Sequence, residues 1–201
     1  MKILVVAATQ GEIAPLLDQP GRGSDLRFLI TGVGMVATAF ALGTHLAGNK
    51  YDLAINAGIA GSFDRNLKIG EVLSVSEDLF AELGAEDHND FLPIDKLGFG
   101  ESLMRPVAPG FDIHLKQAKA ITVSRVHGNE TTIYNTMSRL HPQLESMEGA
   151  AFFYSCNQVN LPSIQIRAVS NYVERRNLSN WNVQLAVENL NTTIISLLER
   201  L

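Results

Sequence analysis

The chain has 201 residues, 46% hydrophobic and 18% charged, with 16 Lys and Arg against 21 Asp and Glu, for a net charge of −5. That length suits one domain, residues 1–201, able to bury on the order of 70% of its unfolded surface. The acidic balance argues against a nucleic-acid binder, which needs a basic face to displace counterions from phosphates. The one cysteine, Cys156, excludes a disulfide framework and a multi-cysteine zinc site. The apolar run Ile3 to Ala8 is too short for a signal-peptide core, and no apolar stretch approaches the ~20 residues that span a bilayer. A cytoplasmic protein without membrane contact is expected.

Apolar runs of strand length alternate with segments of helical period. Ile3 to Ala8 reads as a buried strand and Glu12 to Leu17 as a short helix. Arg27 to Ile30 is a second strand, and Met35 to Leu46 a helix entered through Gly32 and Gly34. Leu53 to Asn56 is a third strand running into a glycine turn, Gly58-Ile59-Ala60-Gly61. Val72 to Val75 is a fourth. Residues 78–116, with Gly84, Pro93, Gly98, Gly100, Pro106, Pro109 and Gly110, read as a long surface excursion. Ala120 to Val123 resumes the sheet. Gly149 to Asn157 is a helix and Ser163 to Val169 a strand. Trp181 to Leu198 is a terminal amphipathic helix, with Trp181, Leu185, Leu190 and Ile194 as core contacts. The alternation predicts an α/β fold: a central mixed β-sheet flanked by helices. Ligands then bind beyond the carboxyl ends of the strands.

Several motifs have a plain structural reading beside a chemical one. Gly32-Val33-Gly34-Met35-Val36-Ala37, with Asp52 about twenty residues on, matches a dinucleotide fingerprint. But Asp52 precedes its strand rather than ending it, and the turn follows the second strand. A tight turn that needs glycine is the better reading. Gly58 to Gly61, near Arg65 and Lys68, offers either an anion cradle of backbone N–H groups or an ordinary turn; no P-loop lysine follows. Glu86, Asp87, His88 and Asp90 suggest a solvated acidic face rather than a metal site. The other histidines (His45, His114, His127, His141) are scattered, and Cys156 sits in an apolar helix. The strongest local signal is Glu12 after the first strand, Met147-Glu148 opening a helix, and Arg167-Ala168-Val169-Ser170-Asn171 closing a buried strand. Charges at the ends of buried strands need partners. An ion pair of Arg167 with Glu12 or Glu148 is the structural alternative to a catalytic site.

These pieces, in this order, resemble the nucleoside phosphorylase and nucleosidase superfamily over nearly the whole chain. Met1 through Ile13 is similar to the N-terminal strand and helix of the methylthioadenosine/S-adenosylhomocysteine nucleosidases. Thr31-Gly32-Val33-Gly34 resembles their S/T-G-I-G turn, and Ile55 to Gly61 their I-N-x-G-x-A-G. Leu67 to Val72 resembles L-K-V-G-D-V, Glu145 to Ala151 resembles V-E-M-E-x-A-A, and Arg167 to Asn171 resembles R-A-I-S-D. The resemblance implies Glu12 as the general base on water and Glu148 as acceptor from the ribose hydroxyls. It also implies Met147 against the sugar and Arg167 orienting Glu12 or the water.

Two departures refine this. Where adenine-specific members carry aspartate, this chain has Asn171. A carboxamide donates to a 6-oxo group and accepts from a protonated N7, so a 6-oxopurine is expected as leaving group, with Ser170 fixing the amide. The stretch Asn171 to Asn177, followed by Trp181, is similar to the futalosine hydrolases of menaquinone biosynthesis, which release hypoxanthine. The second departure is Ile59, where phosphorylases place a serine or threonine for phosphate; an apolar side chain there, with Glu12 nearby, favours water as nucleophile. Residues 123–129, with His127, are expected in the base pocket, and Arg175, Arg176 or an arginine elsewhere is a candidate partner for the benzoate of futalosine. The resemblance implies no cofactor, no metal, a small-molecule nucleoside substrate and a homo-oligomer. The competing readings are a methylthioadenosine-type nucleosidase and a non-catalytic nucleoside-binding or storage member.

Overall fold

The computed structural model describes residues 1–18, 25–88 and 90–201. The valine- and isoleucine-rich β1 (Lys2–Ala7) lies between two parallel neighbours, β2 (Asp25–Ile30) and β3 (Leu53–Ser62). Around β3 the sheet closes. β4 (Val72–Phe80), β8 (Gln117–Thr122), β9 (Leu144–Ser146) and β10 (Ser163–Tyr172) link in the order β10-β4-β8-β9-β3, and β10 also pairs with β3. β1 and β2 extend from this ring as a parallel wing.

Helices cover the ring and wing. The short α1 (Gln10–Leu17) and the C-terminal α5 (Val183–Leu198) pack through Ile13, Leu16, Leu190 and Ile194 on one side. On the other, α2 (Met35–Gly48) and α4 (Gly149–Gln158) bring Leu42, Leu46, Phe152 and Phe153 into the core. A smaller cluster of Phe63, Ile121, Val123 and Val173 lies under α3 (Glu130–Leu140). Cys156 is one of the core residues, and burial pushes its thiol up to about 12.

The edge of β3 changes partner part-way along. β1 pairs with it as far as Asn56, and β9 begins opposite Gly61. The backbone between needs other hydrogen-bond partners, and this opening lies at the carboxyl end of the parallel strands, where α/β sheets bind ligands.

Several expectations are corrected. Gly58 to Gly61 is not a turn, because β3 continues to Ser62 with β10 paired along it. Ser170 and Asn171 lie within β10 rather than after it. The 78–116 excursion holds the end of β4, a hairpin of β5 (Gly84–Asp87) and β6 (Asp90–Pro93), and β7 (Leu103–Met104) on the edge of β4. The sequence reading missed α3. Its start signal is Asn129, whose side chain accepts from Thr131 and Thr132 N–H, and it stops at a left-handed His141. Trp181 precedes α5 and packs on the Arg176 guanidinium, 5.4 Å from the ring centre, while Leu190 and Ile194 are buried as expected. Gly32 and Gly34 adopt φ of 85° and 97°, a conformation that favours glycine, and Asp52 accepts from Lys2 N at 2.6 Å. The acidic segment forms the exposed β5–β6 hairpin, and among the described residues no group of three or more His, Cys, Asp or Glu could hold a metal.

A buried carboxyl sits beneath the start of α4. Asp78 accepts from Thr122 Oγ1 at 2.8 Å and from Gln165 Nε2 at 3.0 Å, and Thr122 Oγ1 in turn accepts from Ala150 N at 2.7 Å. A Cβ on Gly149 would overlap Asp78 Oδ2 and Gln165 Oε1, so glycine is required there. Burial pushes the Asp78 carboxyl up to about 6, against these hydrogen bonds and the charge of Arg167. The folded chain therefore holds this proton more tightly than the unfolded chain, whose ordinary value is 3.8. Folding takes up a proton between these values, so this group's contribution to stability falls as pH rises through that window. Denaturant titrations of wild type and Asp78→Asn from pH 4 to 7 should show this falling component in wild type and its loss in the variant.

Candidate active site

Glu12 is held by backbone geometry on three sides. It is the third residue of α1, and its Oε2 accepts from Thr9 N and Thr9 Oγ1, both at 2.9 Å. Its Oε1 accepts from Ile59 N at 3.2 Å, an N–H in the unpaired stretch of β3. That N–H is one that an anion cradle would have offered to phosphate.

The helix itself is broken at this point. Ile13 departs from helical geometry (φ −124°, ψ 15°) and Pro15 lies inside the segment. The i to i−4 bond from Leu16 N to Glu12 O is replaced by the Asn191 carboxamide, buried in α5. Leu16 N donates to Asn191 Oδ1 at 3.2 Å, and Asn191 Nδ2 donates to Glu12 O at 2.8 Å. The terminal helix thus fixes the backbone of Glu12, a link no local sequence signal announces.

Arg167 is 2% exposed, deep in β10. Its Nη2 donates to Asn56 Oδ1, and among the described residues its Nε has no hydrogen-bond partner. The expected alternative of an Arg167 ion pair with Glu12 or Glu148 does not form; among the described residues its side-chain hydrogen bond goes to Asn56. Both charged groups close in over Gly58. A Cβ there would overlap Arg167 Nη1 and lie 3.1 Å from Glu12 Oε1. Glycine at 58 is what lets a buried guanidinium and the Glu12 carboxylate share one side of β3.

Glu148, 9% exposed, precedes α4. Its Oε1 accepts from Gly34 N at 2.9 Å and its Oε2 from Met147 N at 3.2 Å. The Gly32–Gly34 turn reaches it from the end of β2, where Gly32 N also bonds to Ala8 O beside Thr9. Met147 and Ile59 are half-buried next to these groups.

Asn171, 8% exposed, owes its position to a register shift in β10 between Val169 and Asn171, which lets Asn171 pair with Gly61. Ser170 Oγ lies 2.8 Å from Asn171 Oδ1 and 3.2 Å from Ala60 O, and Asn171 Nδ2 donates to Tyr172 O at 3.0 Å. The expected Ser170 contact to the amide is present. Each polar atom of Asn171 keeps capacity for one more bond. The 124–129 loop also approaches: Arg176 N bonds to Gly128 O, while Arg175 is exposed and Arg65 pairs with Glu174 at 2.7 Å.

A family model of the phosphorylase superfamily matches residues 23–201. The chain belongs to that superfamily. Among curated relatives, a futalosine hydrolase of Thermus thermophilus is 29% identical over 186 residues, covering 88% of this chain and 83% of the relative. A futalosine hydrolase of Streptomyces coelicolor is 32% identical, covering 74% of this chain and 66% of the relative. Among solved structures, a 5′-methylthioadenosine/S-adenosylhomocysteine nucleosidase of Colwellia psychrerythraea in complex with adenine superposes with a TM-score of 0.81 at 20% identity, covering 100% of this chain and 96% of that one. The first 22 residues, with Glu12, lie outside the family match.

Two substitutions, with a third as control, test this construction. Gly58→Ala should lower base release by at least ~10²-fold, the scale of a lost acid–base group, whereas Gly43→Ala, with nothing within 4 Å of the new methyl, should leave it unchanged. Asn191→Leu strands Leu16 N–H and Glu12 C=O; a loss of about 1–3 kcal/mol per unsatisfied group should appear in denaturant melts together with reduced turnover.

Proposed function

We propose that the chain is a futalosine hydrolase: it cleaves the N-glycosidic bond of futalosine with water, releasing hypoxanthine in menaquinone biosynthesis. The observation that carries this reading is the Asn171 carboxamide, oriented by Ser170 and seated over Gly61. Its remaining N–H suits a 6-oxo group and its remaining lone pair suits a protonated N7. The futalosine hydrolases among its relatives support the same substrate.

The transition state carries positive charge on the ribose and negative charge on the departing base. Water adds its oxygen to C1′ and gives its proton to Glu12, while the C1′–N9 pair leaves with the purine. Arg167 orients Glu12 or the water across Gly58. Glu148 accepts from the ribose hydroxyls and places a carboxylate near the cation, and Met147 packs on the sugar. Asn171 has no proton of its own to give, so N7 receives one through solvent. Phosphate is disfavoured because Ile59 offers no side-chain donor and its N–H is already given to Glu12. No cofactor enters these steps. A homo-oligomer in the cytoplasm completes the reading; the exposed Val36 and Phe40, one turn apart on α2, support self-association.

Glu12→Gln should cost at least ~10²-fold in kcat, and kcat at the wild-type level removes Glu12 from the mechanism. Asn171→Asp should shift preference toward 6-aminopurine nucleosides, read as the ratio of kcat/KM for the 6-oxo and 6-amino forms of one nucleoside. A sugar phosphate formed in phosphate buffer would overturn the hydrolytic reading.

A further inference from the structure

The helix that follows Glu148 is capped by another residue. Glu148 holds the N-cap position of α4, where a side-chain oxygen normally accepts from the second or third N–H of the helix. Its carboxylate makes no such bond. It turns away instead, to Gly34 N at 2.9 Å and Met147 N at 3.2 Å. The first turn still has donors that need acceptors. Thr122, at the end of β8, supplies one: its Oγ1 accepts from Ala150 N, the second N–H of the helix, at 2.7 Å. Ser146 Oγ accepts from Gly149 N at 3.3 Å.

Asp78 decides which way the Thr122 hydroxyl faces. A hydroxyl has one proton and two lone pairs, and an ionised carboxylate only accepts. Thr122 therefore gives its proton to Asp78 Oδ1 at 2.8 Å and presents a lone pair to Ala150 N. Gln165 Nε2 donates to Asp78 Oδ2 at 3.0 Å and holds the carboxylate from its other side. Asp78, Thr122 and Gln165 are all buried, so bulk water does not compete for these bonds. Asp78 Oδ2 and Gln165 Oε1 also lie against Gly149, where acceptor oxygens face the positive end of the helix dipole.

We propose that Thr122, oriented by Asp78, is a positioning residue for Glu148: by capping α4 in its place, it leaves the Glu148 carboxylate free to face the ribose. This rests on the reading of Glu148 as acceptor from the ribose hydroxyls. Without the Thr122 hydroxyl, the Ala150 N–H is buried and unsatisfied, which is costly. The Glu148 carboxylate is a charged acceptor in the same turn. It then swings onto the helix end and gives up Gly34 N, and the sugar loses its partner.

Thr122→Val keeps the shape of the side chain and removes the acceptor. Its crystal structure should show the Glu148 carboxylate on Ala150 N and off Gly34 N. The kinetic readout is kcat/KM for futalosine against its 2′- and 3′-deoxy analogues. Comparing each ratio between wild type and variant cancels the intrinsic lability of the deoxy sugar. For at least one analogue the ribo-to-deoxy ratio should fall about 10-fold in Thr122→Val, the scale of one hydrogen bond to a charged group, and return in Thr122→Ser. A merely structural loss would slow all three substrates alike. Circular dichroism reports folding; if Thr122→Val does not fold, Thr122→Cys, with a weak sulfur acceptor in the same place, carries both readouts. Glu148 at its wild-type position in the variant overturns the assignment, as do unchanged ratios where Glu148→Gln lowers them. If Glu148→Gln also keeps the wild-type ratios, or futalosine is not cleaved at all, the ribose role or the substrate falls instead, and the crystal structure alone decides the cap.

Discussion

A strand that changes neighbours part-way along its edge leaves backbone groups that must be satisfied by something other than a ladder. In this chain β3 makes that change between Asn56 and Gly61, and the site grows out of the opening. Glu12 takes the Ile59 N–H released there. Two glycines, at 58 and 61, remove the side chains that would otherwise fill the space on β3. Gly58 admits the Arg167 guanidinium beside Glu12, and Gly61 lets the Val173, Asn171 and Glu145 side chains close in on the strand. Closure of β10 onto β3 brings Arg167 and Asn171 to these points, and the register shift at Ser170 sets which residue faces Gly61.

The charged groups are held largely by main-chain donors. Glu12 and Glu148 accept from Thr9, Ile59, Gly34 and Met147 N–H groups rather than from cationic side chains. Such donors fix a carboxylate without neutralising it, which suits a reaction that builds positive charge on a sugar. Arg167 donates to Asn56, lies beside Glu12 over Gly58 and contributes its field from within the sheet. Behind Glu148, the Asp78, Thr122 and Gln165 network anchors the start of α4. The rigid elements thus reach the site from opposite sides, with α5 steadying Glu12 through Asn191 and the sheet steadying Glu148.

The fold class and the residues at strand ends were legible because buried strands read as continuous apolar runs and charges beside them need partners. Glu12, Glu148, Arg167 and Asn171 stood out on that ground and on motif order. The Gly58 to Gly61 segment misled, since glycine in a strand also marks close approach of another group, and only the tertiary position of Arg167 distinguishes this from a turn. The helix α3 was overlooked although Asn129 and Glu130 begin it, because its apolar face is narrow. Asn191 could not have been found locally. Its partner Leu16 lies 175 residues away in sequence, and it sits in no run that would draw notice.

Base release from futalosine is the most direct measurement. Purified chain is incubated with futalosine, inosine and methylthioadenosine, each with and without phosphate, and the released bases are resolved by chromatography. Hypoxanthine from futalosine, at a rate indifferent to phosphate and with no adenine from methylthioadenosine, is the expected result. Adenine as the main product, or hypoxanthine only when phosphate is present, contradicts it.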